Sequence, residues 1–186
     1  QGLFRLDEVN TLRKAGAALR FRDESTLLMD ENALLVILGE APLGKAPSGL
    51  SLVDGELRLA LASIRKKALE VKTPAASVAA EGGAAGVVAV DAAQTSRLSL
   101  FEGAAVVDAS GTGVAVAQNS GTRVRCGLPP EPVLPLPEQP VLVASMPRVV
   151  LWRGVGTSLL LQWAPSARAV KYRVQVTAVN GRHRSS

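Results

Sequence analysis

Between residue 15 and residue 127 no apolar run lasts long enough to make a globular helix. Each short stretch of Leu, Val and Ala is cut by a glycine or by a cluster of Asp, Asn and Ser. Such punctuation favours strands joined by tight turns, because an isolated helical turn fixes several residues for one hydrogen bond and needs length to repay that cost. The spacing predicts strands at Ala17 to Phe21, Thr26 to Met29, Ala33 to Leu38, Glu56 to Leu61, Ala68 to Thr73, Gly86 to Val90, Arg97 to Phe101, Ala104 to Ala109, Val114 to Ala117 and Thr122 to Arg125. In Leu57-Arg58-Leu59-Ala60-Leu61 and Arg97-Leu98-Ser99-Leu100-Phe101 the apolar side chains alternate, as on a strand with one buried face. Turns are expected at Asp23-Glu24-Ser25, Asp30-Glu31-Asn32, Asp54-Gly55, Glu102-Gly103, Ser110 to Gly113 and Asn119-Ser120-Gly121. The first dozen residues and Leu61 to Leu69 have ambiguous spacing and also read as short helices. The expected class is all-β.

Composition narrows what such a fold can do. Apolar residues are 47% of the chain but aromatic residues only 3%, so the core must be Leu, Val and Ala, and platforms for stacking bases or sugars are scarce. The net charge of +5 is spread out. Its densest group, Arg65-Lys66-Lys67, has no aromatic neighbour and reads as a solvated strand end or turn, whereas nucleic-acid affinity needs several convergent cations. No nucleic-acid partner is expected. Cys126 is the single cysteine, which rules out an intrachain disulfide and the Cys-rich zinc patterns; it is expected to pack rather than react. The longest apolar run, Ala33 to Leu38, falls far short of the ~20 residues that span a bilayer. No signal peptide opens the sequence at Gln1, which fits either a removed leader or a start inside a longer protein.

Catalytic constellations are missing from the pattern. His183, the sole histidine, lies near the terminus in Gly181-Arg182-His183-Arg184, a poor place to build a nucleophilic triad. The acidic pairs Asp7-Glu8, Asp23-Glu24 and Asp30-Glu31 sit on expected turns, where solvated roles are commoner than glycosidase chemistry. Gly82-Gly83-Ala84-Ala85-Gly86 lacks the Lys-Ser or Lys-Thr of a phosphate loop, and Gly111-Thr112-Gly113 leads into no helix. Close backbone packing in a bend explains the first better. Trp163 is expected in a core, and Trp152 fits a core or a glycan platform equally. No enzyme activity, cofactor or metal is expected.

The stretch Leu128-Pro129-Pro130-Glu131-Pro132-Val133-Leu134-Pro135-Leu136-Pro137-Glu138-Gln139-Pro140 is extended by its prolines and serves as a linker or as a strap across the first domain. Four motifs stand before it in a set order. Phe21-Arg22-Asp23-Glu24-Ser25 with Thr26-Leu27-Leu28-Met29 reads as a strand, an Asp-x-Ser turn and the strand after it; Asp54-Gly55-Glu56-Leu57 reads as a Gly-Glu hairpin, Val71-Lys72-Thr73-Pro74 as a Val-x-Thr-Pro entry, and Leu100-Phe101-Glu102-Gly103-Ala104-Ala105-Val106 as a Glu-Gly turn. In this order they resemble the FecR-like domain of bacterial envelope proteins, whose first turn reads Asp-Gly-Ser. Glu81-Gly82-Gly83-Ala84-Ala85 departs from the family's Arg-Gly-Thr strand: Glu81 takes the arginine position and Ala85 the aromatic one. Residues 141–186 resemble the opening of a fibronectin type III-like sandwich, with Leu159 to Pro165 and Ala169 to Val176 as strands.

Taken together, these resemblances imply a FecR-like β domain over 1–127, shaped as a β-solenoid-like stack or a twisted β-sandwich, a proline-rich linker over 128–140, and a partial fibronectin type III-like segment over 141–186. The function they imply is a non-catalytic protein-interaction or scaffold module of a periplasmic envelope assembly, with peptidoglycan reached only through a module outside this chain. The alternative is the sensor domain of a FecR-type anti-sigma regulator that relays a signal from an outer-membrane receptor. The expected docking residues lie on a basic strand edge of the last segment: Arg168, Lys171, Tyr172, Arg173, Val174 and Val176.

Overall fold

The computed structural model describes residues 2–39, 49–138, 140–143, 161–167, 169 and 172. The chain forms two compact units, Gln1–Leu136 and Pro137–Ser186. The first is all strand: β1 (Glu8–Asn10), β2 (Ala17–Arg20), β3 (Thr26–Met29), β4 (Leu34–Gly39), β5 (Gly49–Ala60), β6 (Leu69–Lys72), β7 (Ser77–Ala80), β8 (Ala85–Val90), β9 (Ser96–Glu102), β10 (Ala104–Ala109), β11 (Thr112–Ala117), β12 (Ser120–Val124) and β13 (Leu134–Pro135). No helix occurs among the described residues.

Strand β5 belongs to two half-sheets. Gly49–Asp54 pairs with β4 and β6, and Gly55–Ala60 pairs with β3 and β8. One half-sheet therefore runs β1-β4-β5-β6-β7-β10-β11 and the other β2-β3-β5-β8-β9-β12-β13. Every pairing is antiparallel except β5 with β6. The sheet curls around one core, which is the twisted-sandwich form of the expected architecture.

The curl is written into β5. Leu50 and Leu52 are buried before the bend and Leu57 and Leu59 after it, so the inward phase slips by one residue. A bulge absorbs the slip: Leu34 and Leu35 of β4 face Asp54 and Leu52, leaving Val53 unopposed. At the bend Gly55 adopts φ +90°, and a Cβ there would lie 2.5 Å from the Cα of Ala33. The expected turn at Asp54-Gly55 is thus a corner inside a continuous strand. Gly103 is a second corner, with φ +78° and room for no Cβ against Ala84; it carries the chain from β9 in one half-sheet to β10 in the other.

Inward positions hold Leu27, Leu35, Leu69, Val71, Val78, Val88, Leu98, Leu100, Val107 and Val116 in a single cluster filled out by small residues such as Ala80 and Ala84. Alternation on β8 and β10 is complete. Two expectations are corrected. Residues of the first dozen form β1 against β4, and residues 61–68 are a loop leading into β6, which Leu69 opens. In that loop Leu61 is buried with its N–H bonded to Ala84 O, whereas Ile64 is exposed, so the apolar residues do not share the one buried face that a helix would need. Strand β7 was not expected, because alanine is a poor strand former; pairing on both sides by β6 and β10 overrides that preference.

Candidate functional site

The polar residues of the first unit mostly hold turns. Asp23 accepts from Ser25 N–H at 3.0 Å and from the guanidinium of Arg65 at 2.6 Å, and Arg65 also stacks on Phe21, 5.2 Å from the ring centre. Buried Ser25 accepts from Ala62 N–H at 3.0 Å. Burial opposes the charge on Asp23, yet the hydrogen bonds from Ser25 and Arg65 prevail and hold its carboxyl below the usual range. Arg65 is therefore a buried clasp, not the solvated cation expected from its run, and the three basic residues make no convergent patch.

The Val71-Lys72-Thr73-Pro74 motif has a similar logic. The Thr73 hydroxyl donates to Ala76 O at 2.8 Å, accepts from Ala76 N–H at 3.0 Å, and accepts from the buried Ser96 hydroxyl at 2.7 Å. It closes the β6–β7 turn and ties it to β9. Thr11 acts alike at the other end, accepting from Ala33 N–H at 2.9 Å. Gly82, in the stretch that departs from the family pattern, lies where a Cβ would meet the carbonyl oxygen of Arg65 at 2.4 Å, so close backbone packing fixes it.

The proline-rich stretch begins as a strap. Glu131 N–H bonds to Arg123 O, the Thr122 hydroxyl donates to Glu131 O, and Leu134 and Pro135 lie beside Gly121 and Ser120. The Glu131 carboxylate accepts from Arg123 at 2.8 Å and faces Arg125 at 3.4 Å. The bond from Arg123 holds the Glu131 carboxyl below its ordinary value, and the same pairing raises Arg123.

The acidic pairs are occupied by main chain and cations: Asp7 accepts from Phe4 N–H, Glu31 from Lys14 N–H, and Glu24 pairs with Arg20. No group of three or more His, Cys, Asp or Glu among the described residues is placed to hold a metal. No helix among them is long and apolar enough to cross a membrane. Cys126 is exposed. A cleft of about 380 Å³ opens beside Leu19, Arg20, Phe21, Ile37 and Leu50, with Arg20 the charged residue among its described lining.

Of the expected docking residues, Arg168, Lys171, Arg173, Val174 and Val176 lie outside the described residues, as do Trp152, His183, the first two residues of the expected Leu159 to Pro165 strand and most of the Ala169 to Val176 strand. Tyr172 is described: its hydroxyl accepts from Ser166 N–H at 2.7 Å and its ring lies 5.5 Å from Trp163, tilted by 52°. Trp163 itself bridges Leu142. Strand β11 was expected at Val114 to Ala117; what the sequence reading missed is its place, for it ends its half-sheet with an outer edge that no strand among the described residues pairs, and the signal, an uncharged Thr-Gly-Val-Ala-Val-Ala run, was legible.

Two crystal structures of a candidate anti-sigma factor from Parabacteroides distasonis ATCC 8503, at 1.65 and 2.50 Å resolution, share this fold with TM-scores of 0.57 and 0.56 and identities of 17% and 16%. In each case the match covers 69% of this chain and 58% of the solved one, so the chain spans less than two thirds of those proteins. No curated protein matches it. The FecR protein family model matches residues 7–106, from the start of β1 into β10, and includes the Asp23 turn, the Gly55 corner, the Thr73 clip and the Gly103 corner. The chain belongs to the FecR family.

Proposed function

We propose that the first unit is the regulatory domain of a FecR-type envelope protein, acting in the periplasm by binding and without turnover. The observation that carries this reading is the family match over residues 7–106, joined to a fold shared with a candidate anti-sigma factor. The chemistry of the domain agrees, since its carboxylates and hydroxyls are spent on holding turns and corners rather than converging on a cleft. A domain of this kind senses by docking an envelope partner and passes the event to the rest of its own chain. Of the two functions that the resemblances imply, scaffold and regulator, these observations support the regulator better.

The test is transcriptional. Deleting residues 7–136 from the gene product in its own organism should make a small set of genes constitutive or uninducible. An unchanged transcriptome, together with loss of the domain's protein from an envelope complex, would return the reading to a scaffold.

A further inference from the structure

Each half-sheet has two ends, and three of the four are blocked against pairing. Strand β1 is three residues long and carries Glu8; β2 carries Arg20, ion-paired with Glu24; β13 is two residues long and contains Pro135, which has no N–H to donate. Strand β11 has none of these devices. It spans six residues, Thr112–Ala117, without charge or proline; its Gly113, Ala115 and Ala117 are exposed, and among the described residues it pairs on one side only, with β10.

Its turn shows which groups are open. Ser110 and Gly111 have φ values of 51° and 75°, a two-residue hairpin turn closed by Ala109 and Thr112. Hydrogen-bonded pairs recur at every second position from the closing pair, so Val114 and Val116 bond to Val107 and Ala105. Gly113, Ala115 and Ala117 therefore point N–H and C=O away from β10.

We propose that β11 is a self-pairing edge, joining a second copy of this chain antiparallel about a two-fold axis at Ala115. In this register Gly113 faces Ala117 of the partner subunit and Ala115 faces Ala115 of the partner subunit. All three outward residues of each copy are then used, giving about six main-chain bonds at two per pair. Positions two apart share a face, so outward side chains meet outward ones and Val114 meets Val116 of the partner subunit. Centring the axis on Val114 instead would use only two of the three. The outer face holds glycine and alanine at the seam, backed by exposed Val106, and presents no bulk to separate the strands.

Charge permits the pairing. Asp108, whose carboxylate lies over Gly113, is the nearest ionised group on β10. The two copies of Asp108 fall four residues apart along the seam, about 13 Å, beyond the ~8 Å screening length at physiological salt. The proposal stands apart from the regulatory reading, because a scaffold could dimerise through the same edge.

Sedimentation equilibrium of the chain across micromolar to millimolar concentration should show a monomer–dimer equilibrium. Ala115→Lys sets two like charges opposite each other on the axis and should weaken the dimer at least tenfold, with an unchanged circular dichroism spectrum. In a Cys126→Ser background, Ala115→Cys should form a disulfide-linked dimer under mild oxidation, whereas Val114→Cys should not. A wild-type chain that stays monomeric throughout, or a dimer that survives Ala115→Lys and cross-links equally well through Val114→Cys, would overturn the proposal.

Discussion

The guanidinium of Arg65 donates to the carboxylate of Asp23 at 2.6 Å from the loop between β5 and β6, clasping the β2–β3 turn across 42 residues of sequence. Replacing Arg65 by Met should lower stability by about 1–3 kcal/mol, since a partly buried charge-assisted bond and its contact with Phe21 go together. Arg65→Lys should recover only part, because an ammonium cannot both stack on the ring and present a planar fork. Urea unfolding of the three proteins measures both effects, and full recovery by Lys would show that charge alone matters.

Glu24 sits in the left-handed region at φ 69°, in a turn whose family counterpart carries glycine. Glu24→Gly should therefore stabilise the domain by roughly 0.5–1 kcal/mol despite losing the exposed pair with Arg20, which is worth little. A rise in thermal midpoint is the expected readout.

At the β5 corner the opposite change is severe. Gly55→Ala combines a strained φ with a clash against Ala33 and should cost on the order of 3 kcal/mol. An unchanged midpoint would mean that the bend is softer than its geometry indicates.

Thr73→Val keeps the shape but strands Ala76 N–H and the buried Ser96 hydroxyl, for a loss of about 1–3 kcal/mol, whereas Thr73→Ser should lose far less. Chemical denaturation of the pair separates the hydroxyl from the methyl.

Acid should loosen the fold through identified carboxylates. Asp23 and Glu131 have folded values below their unfolded ones, and so does Asp91, held first by its bond from Thr95 N–H. A lowered carboxyl contributes stability that is complete above its unfolded value, about 3.9 for Asp and 4.3 for Glu, and is lost as pH falls through the folded one. Stability should thus be flat near neutrality and decline below about pH 4. Glu131→Gln should flatten part of that decline, and hydrogen exchange at Glu131 N–H should quicken in this variant already at neutral pH.

Much of this fold was legible in the sequence, because inward Leu57 and Leu59 on β5 and Leu98 and Leu100 on β9 alternate with small or polar residues, and period-two alternation admits few other readings. The spacing of five between Leu52 and Leu57 even carries the bulge, though it was read as a turn because Asp54-Gly55 looks like one locally. What stayed hidden depends on partners distant in sequence. Strand β7 has alanines that only its neighbours make into a strand, and Arg65 looks solvated until Asp23 and Phe21 are brought to it. The docking strand expected near Lys171 lies almost wholly outside the described residues; among those described, the edge without charge is β11, where the relevant feature is what the strand lacks.

The strap along β12 also sets how the domain meets mechanical load. A pull on the chain beyond Leu136 acts first on the bond from Leu136 N–H to Asn119 O, then on the β12–β13 pair, and last on Glu131 with its two arginines. Because the strap runs antiparallel to β12, these contacts open one after another instead of sharing the force. The strap is thus a peelable fuse: it yields in steps before tension reaches the leucine and valine core.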